Sequence, residues 1–229
     1  MILYKFLSAK IGLKVLRERQ VKVSRILELN DPFEFLGYDL RDKRLRNILK
    51  QYKDFLNNSH GVVCLSATWR HPLLWGHYAN SHYGLCLGFD VLKEDYFLKV
   101  SYQPKRRAWP SDSAGIPAEA GEAELLNILL TKFAGWSYEA EHRAIYRLSD
   151  KMFDKNSGMY FTPFDEDLRL VKVIVGSASE VSRGEILEVV DAESVSIIKA
   201  RPAFRSFRVV TQQKDPRWPL SNPPRKQTR

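Results

Sequence analysis

Between Leu40 and Leu56 the apolar residues Leu45, Ile48, Leu49, Tyr52, Phe55 and Leu56 recur every three or four positions, which predicts a helix with one apolar face. Elsewhere the apolar runs are shorter and read as strands: ILYKFL at the start, GVVCLSA after Gly61, GLCLGFDV, YFLKVSYQ, LRLVKVIVG, and a final pair inside VSIIKARPAFRSFRVV. Between them lie further helical patterns. SAKIGLKVLRE leads into a second strand, with Gly12 weakening the helix. LLWGHYANSHYG places Trp75, Tyr78, Ala79 and His82 on one side, with Gly84 at its end. GEAELLNILLTKFAGW has acidic residues in its first turn and Gly135 just past its end, and SEVSRGEILEVV follows later. LNDPFEF is a turn, because Asn30 and Asp31 bond backbone and Pro32 keeps Asp31 out of helix. Strands in runs with helices set between them predict an α+β domain over residues 1–211.

The clearest strand pattern is WSYEAEHRAIYRL, residues 136–148. Alternation puts Trp136, Tyr138, Ala140, His142, Ala144, Tyr146 and Leu148 on one face. Ser137, Glu139, Glu141, Arg143, Ile145 and Arg147 share the other. The first face is core-like and the second polar, as in a half-buried antiparallel strand. The polar face either meets water or lines a cleft. In a cleft the two carboxylates raise each other's pKa while Arg143 offsets one of them, an arrangement suited to acid/base work or to stabilising a cationic sugar-like transition state. Spacing alone leaves both open.

Composition changes the picture in three places. With 44% hydrophobic and 12% aromatic residues the chain has ample material for a core. No apolar run approaches the roughly 18 residues of a membrane span, and MILYKFLSAK lacks the basic flank of a signal peptide, so a soluble cytoplasmic protein without membrane contact is expected. Cys64 and Cys86 sit inside apolar runs and read as buried free thiols. The formal charge of +9 is unevenly placed: +4 of it falls in residues 212–229, a basic, proline-rich segment expected to be a disordered tail. That tail, together with Lys105, Arg106 and Arg107, offers phosphate contacts to a nucleic acid.

Familiar chemical signatures are missing. There is no GxxxxGK[ST], GxGxxG, GxSxG, HExxH or CxxC. His71, His77 and His82 lack a zinc-ligand spacing, so no metal is expected. Asp31 and Glu34 can bind a metal, which would allow a nuclease, but the turn also caps and packs itself.

Taken in order, LYKF, NDPFEF, VVCLSA, WGHYANSHYGLCLGF and WSYEAEHR closely resemble a widespread bacterial family of domains of unknown function, number twenty-nine seventy-one, over roughly residues 2–210. The same order of pieces is similar to the ADP-ribosyltransferase superfamily. That resemblance implies mixed, mainly antiparallel sheets with flanking helices, and NAD as co-substrate. It places Lys5, with Tyr4 beside it, where a basic residue contacts the adenosine ribose. It offers Ser66, Trp75 and Tyr78 to the nicotinamide, adds Arg143 to the NAD-binding set, and makes Glu141 the catalytic glutamate with Glu139 its accessory. Breaking the nicotinamide–ribose bond develops an oxocarbenium cation that a carboxylate stabilises. The implied function is an NAD-dependent ADP-ribosyltransferase acting on nucleic acid or protein in a toxin or phage-defence role. The alternative is a non-catalytic nucleic-acid-binding or interaction domain on the same fold.

Overall fold

The computed structural model describes residues 1–109, 122–164, 167–191, 193–215 and 218. In chain order the first half contains β1 (Ile2–Leu7), α1 (Ala9–Glu18), β2 (Gln20–Arg25), α2 (Lys43–Ser59), β3 (His60–Ser66), α3 (Pro72–Tyr78) and β4 (Leu85–Val91). Next come β5 (Leu98–Lys99), β6 (Ser101–Gln103), α4 (Glu122–Leu129), β7 (Thr131–Phe133) and β8 (Glu141–Arg147). The remainder is β9 (Phe153–Asp154), β10 (Met159–Pro163), β11 (Leu168–Val175), α5 (Arg183–Leu187), β12 (Ser196–Pro202) and β13 (Val209–Thr211). The protein is therefore mixed α and β, with mainly antiparallel pairing and a few helices. No helix among the described residues is long and apolar enough to cross a membrane.

The described residues group into two compact units. The first comprises the described residues of 1–20, 66–92 and 163–229, and the second those of 21–65 and 93–162.

The first unit holds the strand order β13-β12-β11-β4-β1. Pairing is antiparallel except between β11 and β12, which run parallel and are joined through α5. β4 lies between β1 and β11 and is buried at every position but Asp90, as its continuous apolar run requires. α1 packs closely here: a Cβ on Gly12 would stand 2.7 Å from Leu85 Cδ1. The glycine that weakens the helix pattern is what lets the helix approach the sheet.

The second unit holds β5-β8-β3-β2-β10-β9 and the separate parallel pair β6–β7. α2 contributes Leu45, Leu49 and Leu56 to a core shared with Ile26, Val62, Ile128 and Leu129. The expected helix over 40–56 forms with its start at Lys43, where the Asp42 carboxylate accepts from the Arg44 amide at 2.7 Å.

Several expectations are corrected. The helical pattern of residues 121–136 ends at Leu129, and TKF pairs as β7 with β6. YFLKVSYQ divides into β5 and β6, which take different partners. The helix of LLWGHYANSHYG stops at Tyr78, and Asn80, Ser81 and His82 are all left-handed, with φ of 47°, 51° and 71°. Most importantly, the strand expected from Trp136 begins only at Glu141. Residues Ala134–Glu139 form a 3-10 helix, and Ala140 at φ 45° turns the chain between the two. Within the expected tail Trp218 is buried, with the Lys199 ammonium 5.5 Å from its ring centroid. Residues 216, 217 and 219–229 of that tail lie outside the described set.

Candidate functional site

Because the backbone turns at Ala140, the faces of β8 are not those of a continuous strand. Glu141 and Arg143 point to the buried side, Arg143 with no exposure at all, whereas His142 is only half-buried. Glu139, Glu141 and Arg143, expected to meet water or line a cleft, are interior, whereas Ser137 and Arg147 are exposed. Charge can stay in the interior only if it is paired and hydrogen-bonded.

Arg143 meets that condition in full. Its Nε donates to Glu141 Oε1 at 2.8 Å, and Nη2 donates to Glu141 Oε2 at 3.1 Å and Glu34 Oε1 at 2.7 Å. Nη1 donates to Glu34 Oε2 at 2.9 Å and to the Leu129 carbonyl at 2.8 Å. These five bonds match the five donors of a guanidinium. The turn of NDPFEF delivers Glu34: the Asp31 carboxylate accepts from the Phe33 amide, and the Asp31 carbonyl accepts from the Glu34 amide.

Lys132 on β7 is the second cation. Its Nζ donates to Glu139 Oε2 at 2.5 Å and Glu141 Oε2 at 3.1 Å, and stands 3.4 Å from Glu34 Oε1. It also lies 5.2 Å from the Trp136 ring centroid. Register pairing of Tyr102 with Lys132 places the Tyr102 hydroxyl where it accepts from the Glu141 amide at 2.8 Å. Three carboxylates and two cations thus close on one another.

The protonation states follow from this packing. Burial alone would raise the Glu141 pKa, but the charge and hydrogen bonds of Arg143 outweigh it. With further help from Lys132 and a hydrogen bond from Cys64, they hold the carboxyl down to about 2. For Lys132, burial favours the neutral amine, yet Glu141, Glu34 and Glu139 together raise it above the ordinary range. Arg143 is raised in the same way, chiefly by Glu141 against burial. Burial, reinforced by the neighbouring glutamates, pushes Tyr102 up to about 12. Glu141 is consequently a permanent anion at neutral pH with both oxygens already engaged. It has no proton to give as a general acid.

Among the described residues no group of three or more His, Cys, Asp or Glu is arranged to hold a metal ion. Neither cysteine is in a disulfide; Cys86 is buried and Cys64 partly so, and burial raises the Cys86 thiol pKa.

The other expected site residues lie in the first unit. Tyr4 and Ser66 are register partners, and Lys5 pairs with Leu87 on the β4 side. Ser66 Oγ is occupied in a local turn, accepting from the Thr68 amide at 3.1 Å and donating to its carbonyl at 2.9 Å. Tyr78 is half-buried at the end of α3. Trp75 is fully buried. Its indole N–H donates to the Trp69 carbonyl at 2.7 Å, Phe6 packs edge-on at 5.2 Å, and His82 stacks over it at 5.9 Å. Trp75 is a core residue.

Sequence reasoning missed Lys132 and the open pocket it borders. This pocket, of about 260 Å³, is lined in the second unit by Phe33, Phe133, Gln103, Lys105, Arg106 and Lys132 among others. Phe33 and Phe133 are each more than half exposed, and the Arg106 guanidinium lies 5.6 Å from the Phe33 centroid. The rim is tied in place. The Arg107 amide donates to the Gly37 carbonyl and the Asp39 amide to the Arg107 carbonyl, both at 2.8 Å. The only signal in the sequence was the basic run at Lys105–Arg107.

Comparison with protein-family models, with curated proteins and with solved structures found no match for this chain.

Proposed function

We propose that the chain binds a nucleotide in the second-unit pocket without turning it over. One base-sized ring lies against Phe33 and Phe133, and phosphate meets Lys105 and Arg106. What supports this is the convergence of two exposed aromatic rings and two exposed cations around one pocket. Base–aromatic stacking and guanidinium–phosphate contacts are the interactions those groups provide. Ligand pockets usually run from roughly 300 to 1,000 Å³. At about 260 Å³ this one takes a fragment, with the rest of a larger nucleotide along the rim.

NAD is the nucleotide that the sequence resemblance selects, and ADP-ribosyl transfer is the rival reading. Transfer needs a carboxylate facing the breaking bond, and Glu141 is already held by Arg143 and Lys132. The test is titration of NAD and AMP into the full chain, with nicotinamide release measured in parallel. Binding is expected for the wild type, roughly tenfold weaker in Phe33→Ala/Phe133→Ala and in Lys105→Ala/Arg106→Ala, without nicotinamide release. Nicotinamide release that disappears in a folded Glu141→Gln protein, with ADP-ribose recovered on an added nucleic-acid or protein acceptor, establishes the transferase instead. Absence of binding to either nucleotide ends both proposals for this pocket.

A further inference from the structure

The connection between β12 and β13 reads AFRSFR, residues 203–208, and it is held firmly. Strand pairing continues to Pro202 opposite Val209, and the Ala203 amide donates to the Arg208 carbonyl at 2.8 Å. The Arg208 amide donates to Ser206 at 2.9 Å, and the Val209 amide donates to the Arg70 carbonyl at 2.8 Å, fastening the loop base to the segment before α3. On this anchored loop Phe204 is 89% and Phe207 97% exposed. A single exposed apolar side chain is ordinary. Two nearly bare phenyl rings on one short, hydrogen-bonded loop form a contact surface left open.

The surrounding charge has one sign. Residues 194–214 contain five Lys or Arg and no Asp or Glu. Arg70, Arg201 and Arg205 line a hollow of about 450 Å³ together with Phe204, and the Arg201 guanidinium carbon lies 4.2 Å from the Phe204 centroid. Among the described residues, none of Arg70, Arg201, Arg205 or Arg208 is ion-paired with a carboxylate. Elsewhere in the chain, by contrast, Arg143 is saturated with glutamates.

Exposed rings interleaved with uncompensated guanidinium groups match a polyanion whose flat faces are available for stacking. We infer that the β12–β13 loop is a binding surface for single-stranded nucleic acid, with bases stacking on Phe204 and Phe207 and phosphates held by the four arginines. Duplex bases are already stacked and offer no such faces. The hollow's other lining groups include Ser206, Thr211 and Gln213, which suit phosphate and base edges better than acyl chains. The inference does not rest on the second-unit pocket, which belongs to other residues.

The experiment is fluorescence anisotropy of labelled dT20 and rU20 with the full chain, over a salt series. The wild type should bind either oligonucleotide. Phe204→Ala/Phe207→Ala should weaken Kd roughly ten- to a hundredfold with an unchanged salt slope, since stacking releases few counterions. Arg205→Ala/Arg208→Ala should weaken binding and flatten the slope by about 0.7 per lost phosphate contact. Both pairs are exposed, so their melting temperatures should match the wild type and any loss reads as lost contact. In a protein already carrying Phe33→Ala/Phe133→Ala, adding Phe204→Ala/Phe207→Ala should weaken oligonucleotide binding by the same factor, which separates this surface from the pocket. Absence of wild-type binding, or equal binding by Phe204→Ala/Phe207→Ala, overturns the inference. So does phenylalanine-dependent binding to phosphatidylserine vesicles by a protein that ignores the oligonucleotides.

Discussion

Replacing Glu141 by Gln keeps its shape and removes one negative charge from a site where Arg143 and Lys132 are both directed at it. Holding the carboxyl at about 2 instead of the ordinary 4.5 corresponds, at about 1.4 kcal/mol per tenfold change in proton affinity, to roughly 3 kcal/mol of folding stability. The sign follows from the direction. The folded-state pKa is depressed, so this stability is fully present above about 4.5 and is lost as pH falls from there towards 2. Glu141→Gln should therefore be less stable than the wild type by roughly 3 kcal/mol at pH 7. The gap should hold down to about pH 5, then shrink through pH 4 and 3. Urea denaturation of both proteins at those pH values, with m-values compared, measures it. Equal stability at pH 7 would show that the ion pairs contribute nothing net. A deficit unchanged at pH 3 would show that charge is not its cause. Either result refutes the electrostatic account of Glu141.

Arg143→Lys keeps the charge but offers three donors where five are used, so at least two of the five hydrogen bonds are lost. It should cost about 3 kcal/mol or more, and a melting temperature within 1–2 °C of wild type would contradict the geometry. Trp218→Ala should lower stability by about 3 kcal/mol through lost burial against Lys199, contrary to a wholly unattached tail. Thermal melts of that variant decide between the two.

The parts of the fold legible in the sequence are those where local pattern and burial coincide. β1, β3, β4, β11 and α2 each carry a periodicity matched by their environment, and β12 and β13 were visible as a pair. The failures lie where the local pattern carries no mark of the change in the chain's path. GEAELLNILLTKFAGW stays apolar past Leu129, so nothing local marks where α4 stops and β7 begins. Alternation through WSYEAEHR is undone by one alanine at positive φ. The site was half legible. Glu141 and Arg143 do meet, and Glu139 joins them through Lys132. Their reading as an open face failed because the partners that bury them, Glu34 and Lys132, come from a distant turn and a short strand. From the residues alone Trp75 reads more readily as core than as platform, and Phe6 and His82 pack around it in the structure.

The discontinuity of the first unit bears on how this polypeptide emerges from the ribosome. Residues 21–65 and 93–162 are all synthesised before the final first-unit segment begins, so the second unit has its complete material first. β1 and β4 can pair as soon as both are out, but β4's other edge then waits for β11, with β12 and β13 later still. At about 5–20 residues per second that wait lasts several seconds. Throughout it a strand buried at six of its seven positions in the folded protein has one side unpartnered, and the nascent protein is most exposed to aggregation or chaperone capture then.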